Sequence, residues 1–119
     1  MADEAGWPIE LRLAPDGRTL TIVWVDGARH AIAAELLRVE SPSAEVQGHS
    51  PDQKTIVPGK RNVTIRDVQE VGSYAVRLVF DDGHSTGIYT WTALRRFGDE
   101  GDAMFSTYLE ALGDLGLTR

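Results

Sequence analysis

The sequence predicts an α+β domain of two antiparallel β units, a meander and a hairpin, with short helices near the C-terminus. Three observations carry that class. Apolar and polar residues alternate with period two over residues 9–32 and again over 63–80. Asp16-Gly17, Asp26-Gly27 and Asp82-Gly83 fall where those runs break, and Asp-Gly is strong turn chemistry. Beyond residue 90 the large apolar residues shift to helical spacing. Strands first and helices afterwards is an α+β order, not an alternating α/β one.

Each element follows from its residues. Ile9, Leu11 and Leu13 alternate with Glu10 and Arg12 as a half-buried strand, and Pro15-Asp16-Gly17 turns the chain. Leu20, Ile22 and Trp24 share one face of a second strand, with Thr21, Val23 and Val25 on the other. Asp26-Gly27 leads into a third strand over Arg29–Ile32. Ala33–Arg38 reads as one helical turn. Ser41-Pro42-Ser43, Gly48-His49-Ser50-Pro51 and Pro58-Gly59 then break any longer element, so 33–61 is expected to be an ordered connection. A strand from about Val63 to Val71, a Gly72-Ser73 turn and a strand from Tyr74 to Phe80 make the hairpin, and Asp82-Gly83 turns into 84–90. Trp91–Phe97 is expected as a short helix ended by Gly98. A second helix is expected from an Asp102 cap to Gly113, burying Met104, Phe105, Tyr108, Leu109 and Leu112. Trp24 and Trp91 are expected in the core, Trp7 at the surface, and Tyr89 in a groove with Trp91.

A chain of 119 residues fits one domain, with its core over about 9–113 and looser ends at 1–8 and 114–119. Hydrophobic residues at 42% and charged residues at 25% are ordinary globular usage. The net charge of −6 disfavours nucleic acid and anionic membrane as partners, because polyanions would be repelled on average. Lys54, Lys60, Arg61 and Arg66 form one basic stretch against that trend, read as a solvated loop and strand edge. The absence of cysteine removes disulfides, thiolate nucleophiles and thiolate metal sites. The acidic start shows no leader pattern and no apolar run reaches bilayer length, so the expected location is cytoplasmic.

Two blocks carry a resemblance. Phe80-Asp81-Asp82-Gly83-His84-Ser85-Thr86-Gly87-Ile88-Tyr89-Thr90-Trp91 and Leu36-Leu37-Arg38-Val39-Glu40-Ser41-Pro42-Ser43-Ala44-Glu45-Val46-Gln47-Gly48-His49 resemble the signatures of the gamma-butyrobetaine hydroxylase-like N-terminal domain family. The resemblance spans about Ile9 to Phe97. It implies two contexts: a domain preceding a 2-oxoglutarate- and iron-dependent oxygenase in carnitine-synthesis hydroxylases, or following the nucleotide-binding part of some iron–sulfur P-loop ATPases. Small bacterial members stand alone. In the hydroxylases the domain holds zinc through three cysteines and a histidine. Carried onto this sequence, those positions fall on Ser41, Ser43, Val46 and His84. Val46 cannot ligate and neutral hydroxyls are poor zinc ligands, so the resemblance implies a degenerate metal site.

Three functions remain to weigh. As an enzyme, the chain has no His-x-Asp start of an iron facial triad and no Gly-Lys-Ser/Thr phosphate loop, and scattered Ser, His and Asp define no triad. The expectation is therefore no catalysis. As a metal protein, zinc or iron could sit on His84 and His49 with a carboxylate such as Glu45 or Asp82; the alternative is a turn-flanking imidazole at His84 and a loop residue at His49. As an accessory module, the chain would bind a protein partner or self-associate, assisting iron–sulfur or iron-dependent metabolism as the resemblance implies. The candidate surface is Arg38, Glu40, Glu45, Gln47 and His49; the alternative is a connection that merely caps the sheet.

Overall fold

The computed structural model describes residues 6–119. Residues 1–5, most of the expected loose start and the segment read as leaderless, lie outside the described residues. Pro8, expected in that start, already opens the first strand.

Two three-stranded antiparallel sheets and a C-terminal helix make the α+β architecture. The first sheet has order β1-β2-β3, from β1 (Pro8–Leu13), β2 (Thr19–Trp24) and β3 (Arg29–Ala33). Its turns form as Asx turns: Asp16 Oδ1 accepts from the Arg18 N–H and Asp26 Oδ1 from the Ala28 N–H, each at 3.0 Å. Leu20, Ile22 and Trp24 of β2 are wholly buried, so the period-two pattern has set which face meets the core. The second sheet has order β4-β5-β6, from β4 (Ile65–Val71), β5 (Ala75–Phe80) and β6 (Ile88–Thr90). The Ile65 N–H donates to the Gly17 carbonyl at 2.7 Å and fastens the second sheet to the first turn of the first sheet. One cluster joins Trp24, Leu78 and Phe80 with Leu37, Leu94 and Phe97, and a smaller one joins Val39, Tyr108 and Leu112.

The connection between the sheets holds α1 (Ala34–Val39), α2 (Ala44–Gln47) and a single 3-10 turn over Pro51–Gln53. Ser43 caps α2, its Oγ accepting from the Glu45 N–H at 3.2 Å.

The two expected C-terminal helices are one. Helix α3 runs unbroken over Trp91–Asp114, 24 residues, capped by Thr90 Oγ1 on the Ala93 N–H. Gly98 does not stop it and Asp102 does not start it. A mid-helix glycine costs about 1 kcal/mol relative to alanine. The continuous helix buries Leu94, Phe97, Tyr108 and Leu112, each worth about 1.5–3 kcal/mol, so packing outweighs propensity. Gly98 also has a local reason to be glycine: a Cβ there would lie 2.3 Å from the His30 ring.

Trp24 is core, its indole N–H donating to His30 Nδ1 at 3.0 Å, and Trp7 is surface at 52% exposure. Trp91 is only half-buried, with its indole N–H on the Ser73 carbonyl. Tyr89 is wholly buried and donates to the Leu37 carbonyl at 2.6 Å, so the groove expected between it and Trp91 does not form. The chain end is tied down: the Leu117 N–H meets the Leu112 carbonyl, the Gly59 N–H meets the Thr118 carbonyl, and Arg119 pairs with Glu35. Among the described residues no helix is long and apolar enough to cross a membrane.

Candidate functional site

The residues singled out at Ser41, Ser43, Val46 and His84 are gathered by the approach of two loops. One is the capped start of α2. The other is the turn between β5 and β6, where Asp82 Oδ1 accepts from the His84 N–H at 3.0 Å and the His84 carbonyl accepts from the Phe80 N–H at 2.9 Å. That turn carries the His84 ring inward, where its side chain is 3% exposed.

Both ring nitrogens are engaged. Nε2 lies 2.9 Å from Ser41 Oγ and Nδ1 lies 3.1 Å from Glu45 Oε1. An ionised carboxylate only accepts, so Nδ1 carries the proton and Nε2 accepts from the Ser41 hydroxyl. Ser41 Oγ in turn accepts from the Ser43 N–H at 3.2 Å, and Ser43 Oγ meets Thr86 Oγ1 at 2.7 Å. Gln47 Nε2 donates to the Ser41 carbonyl at 2.9 Å. Two loops more than forty residues apart are thus stitched by side-chain hydrogen bonds, with Val46 buried beside them.

Charge gathers around this stitch. Asp82 accepts from Arg38 Nε and Lys60 Nζ, each at 2.7 Å. Burial would raise its carboxyl, but the Lys60, His84 N–H and Arg38 hydrogen bonds outweigh burial and hold it far below the usual carboxylate range. His84 is pushed below its ordinary value, first by burial and then by the Arg38 charge, with Glu45 and Asp82 pulling the other way. Arg38 Nη1 is buried without a hydrogen-bond partner.

A zinc ion of the kind the resemblance implies does not fit these residues. Val46 offers no donor atom, the Ser41 and Ser43 hydroxyls are tied into the loop stitch, and both imidazole nitrogens of His84 are already used. His49 is exposed, and its backbone N–H donates to Gln53 Oε1 at 2.9 Å. Among the described residues no group of three or more His, Asp or Glu side chains is placed to hold a metal ion.

Ser41, His84 and Glu45 stand in the order of a nucleophile, a base and an orienting carboxylate. Ser41 exposes no surface, however, and a Cβ on Gly87 would lie 2.5 Å from its Oγ, so no substrate carbonyl has room to approach that oxygen. Gly83-His84-Ser85-Thr86-Gly87 also carries the Gly-x-Ser-x-Gly spacing of a nucleophile elbow, a signal that could have been read from the sequence. It lies between two antiparallel strands, not between a strand and a helix, so the elbow's context is missing.

Of the expected interaction surface, three members are spent on internal bonds, and a fourth, Glu45, touches His84 Nδ1 through one carboxylate oxygen. Arg38 holds Asp82, Glu40 holds Lys54 at 2.6 Å, and Gln47 holds the Glu40 and Ser41 carbonyls. Glu45 and His49 face solvent. The signals that were missed are Thr86, Gly87 and Lys60, whose roles depend on contacts across the fold.

The family described as gamma-butyrobetaine hydroxylase-like, N-terminal, matches residues 11–95. Two proteins with NMR solution structures superpose with a TM-score of 0.81. One is 38% identical, over 95% of this chain and 89% of its own; the other is 39% identical, over 100% and 90%. A crystal structure of a DUF971-family protein of unknown function from Acidithiobacillus ferrooxidans is 42% identical, over 76% of this chain and 91% of its own, with a TM-score of 0.64. No curated protein matches. With the match running from β1 into α3, the chain belongs to the gamma-butyrobetaine hydroxylase-like N-terminal domain family.

Proposed function

We propose that this domain is an accessory, non-enzymatic module that binds a protein partner and assists iron–sulfur or iron-dependent metabolism. The observation that carries the binding part is an exposed apolar corner of the first sheet. Trp7, Ile9 and Val25 are 52%, 64% and 52% exposed, where β1 starts and β2 ends. The Val25 N–H donates to the Trp7 carbonyl, which keeps that corner ordered. β1 is the outermost strand there, with a bulge between Pro8 and Glu10. Large exposed apolar groups beside an open sheet edge are characteristic of protein-binding surfaces. The polar groups best equipped for chemistry are meanwhile used to hold two loops together. The iron context rests on likeness to the family alone, an associational ground.

A photo-crosslinking residue at Ile9, in the protein expressed in its native host, tests this reading. The expected result is one dominant adduct with an iron–sulfur or iron-dependent protein, absent when the probe replaces exposed Arg66 on the second sheet. Identical adducts from both positions, or none from Ile9, overturn it.

A further inference from the structure

The other edge of the first sheet offers a second, differently built surface. β3 has a neighbour on one side only. Its register shows which backbone groups are left over. Trp24 pairs with Ala28, Ile22 with His30, Leu20 with Ile32, and Arg18 with Ala34, the outer two through Trp24 N–H to Ala28 carbonyl and Ala34 N–H to Arg18 carbonyl bonds. Hydrogen-bonded pairs alternate along an antiparallel ladder. The N–H and C=O groups of His30 and Ile32 therefore point into the sheet, and those of Arg29 and Ala31, with the N–H of Ala33, point away from it; the Ala33 carbonyl, at the N-cap of α1, is taken by the helix.

A groove of about 540 Å3 runs between this edge and residues 97–103 of α3. Contact between Gly98 and the His30 ring sets the helix close at one end, and the Arg119–Glu35 pair closes the other. Natural edges are commonly blunted by lysine, proline or a covering loop. Here only Arg29 guards one end, and exposed Ala31 and Ala33 leave the rest open. The helix wall is acidic. Asp102 has no cation partner among the described residues, and Glu100 meets Arg96 in a surface i,i+4 pair, which neutralises weakly, whereas Asp99 is held by Arg95 and by His30 Nε2 at 3.0 Å.

From this edge, this groove and this charge we infer that the β3–α3 groove takes an extended, lysine- or arginine-bearing segment of a partner protein, added as a fourth strand to the first sheet. Main-chain bonds to Ala31 and to the Ala33 N–H supply the pairing, and side chains of the added strand reach Glu100 and Asp102. A second copy of this chain, at a net charge of −6, is the poorer occupant. The inference rests on the protein-binding reading above but places a distinct contact on the opposite edge of the sheet.

The test uses a short acetylated and amidated peptide alternating valine with lysine, and the same peptide with glutamate for lysine, titrated into labelled protein by NMR. The lysine peptide should shift the amides of Arg29, Ala31 and Ala33 and of residues 98–103, and slow hydrogen exchange at Ala31 and Ala33. The glutamate peptide should not. Ala31→Pro removes an outward N–H that a strand edge can spare, and should weaken binding about tenfold or more. Asp102→Lys, which leaves the backbone alone, should weaken it about fivefold. Shifts confined to other edges, no shift up to the solubility limit, equal binding of both peptides, or self-association without peptide would overturn the inference. Its failure while the Ile9 crosslink persists removes the groove alone; loss of the crosslink while the peptide still binds removes the apolar corner alone.

Discussion

His84 Nε2 lies 2.9 Å from Ser41 Oγ, a contact between residues 43 apart in sequence that joins the first signature block to the second. The chain closes this junction with a hydroxyl and an imidazole. The strength of the junction then follows from hydrogen-bond energetics. Ser41→Ala leaves Nε2 without its donor and should cost about 1–3 kcal/mol. His84→Ala removes a buried ring as well and should cost about 2–4 kcal/mol. The two losses should not add: a coupling of at least about 1 kcal/mol is expected in the double-mutant cycle. Urea unfolding with unchanged m values checks this, and additive losses would mean that the two groups do not support one another.

The same junction gives stability a pH dependence of fixed sign. Burial, aided by Arg38, holds folded His84 below its ordinary value of 6.5, against the pull of Glu45 and Asp82. As pH falls below 6.5 the unfolded chain takes up a proton that the folded chain resists. Stability from this group is therefore complete above that pH and declines below it. Asp82 is also depressed, so its share is complete above its ordinary 3.8 and is lost as pH falls further. Two descending limbs are expected in a pH series of unfolding midpoints. His84→Gln should remove the upper limb and leave the lower, whereas an unchanged upper limb would assign it to another group.

The strands were legible because each reports its own environment: alternation marks the buried face of β2, and Asp26-Gly27 and Asp82-Gly83 mark turns. Helix α3 was misread at Gly98 because a local propensity cannot reveal that the glycine lies against His30, 68 positions earlier by subtraction of their numbers. Ser41, Ser43 and His84 could be found only through resemblance. Glu45 was visible as a carboxylate, but its place on Nδ1 of a buried ring depends on how α2 docks. Arg38 and Glu40 read as surface charges, and became internal ties because Asp82 and Lys54 arrive from distant segments.

Glycines within one helix should respond in opposite directions. Gly98→Ala gains about 1 kcal/mol in helix propensity, but its Cβ would stand 2.3 Å from the His30 ring. A net loss of about 1–3 kcal/mol is expected from the overpacking. At Gly113 nothing lies within 4 Å of an added Cβ, so Gly113→Ala should stabilise by a few tenths to about 1 kcal/mol. Thermal unfolding of both variants decides the point. His30→Ala in the Gly98→Ala background should recover part of the loss, and no recovery would place the clash elsewhere.

Glu35 and Arg119 set up the last prediction, because the carboxylate is buried and its partner is not. The Glu35 side chain is 7% exposed and accepts from Arg119 Nη2 and Nε at 2.7 and 3.0 Å, while the Arg119 side chain is 33% exposed, with its guanidinium over the Phe105 ring. Breaking a wholly buried pair costs about 3–5 kcal/mol. The solvent at Arg119 lowers that, and about 1–2 kcal/mol is expected for Arg119→Ala. Arg119→Lys should recover only part, since an ammonium cannot make the two parallel bonds. If the loss reflects a stranded carboxylate, adding Glu35→Leu to Arg119→Ala should bring stability back toward that of the parent. A double variant less stable than Arg119→Ala would instead show that Glu35 is held by contacts of its own, with the arginine merely covering it.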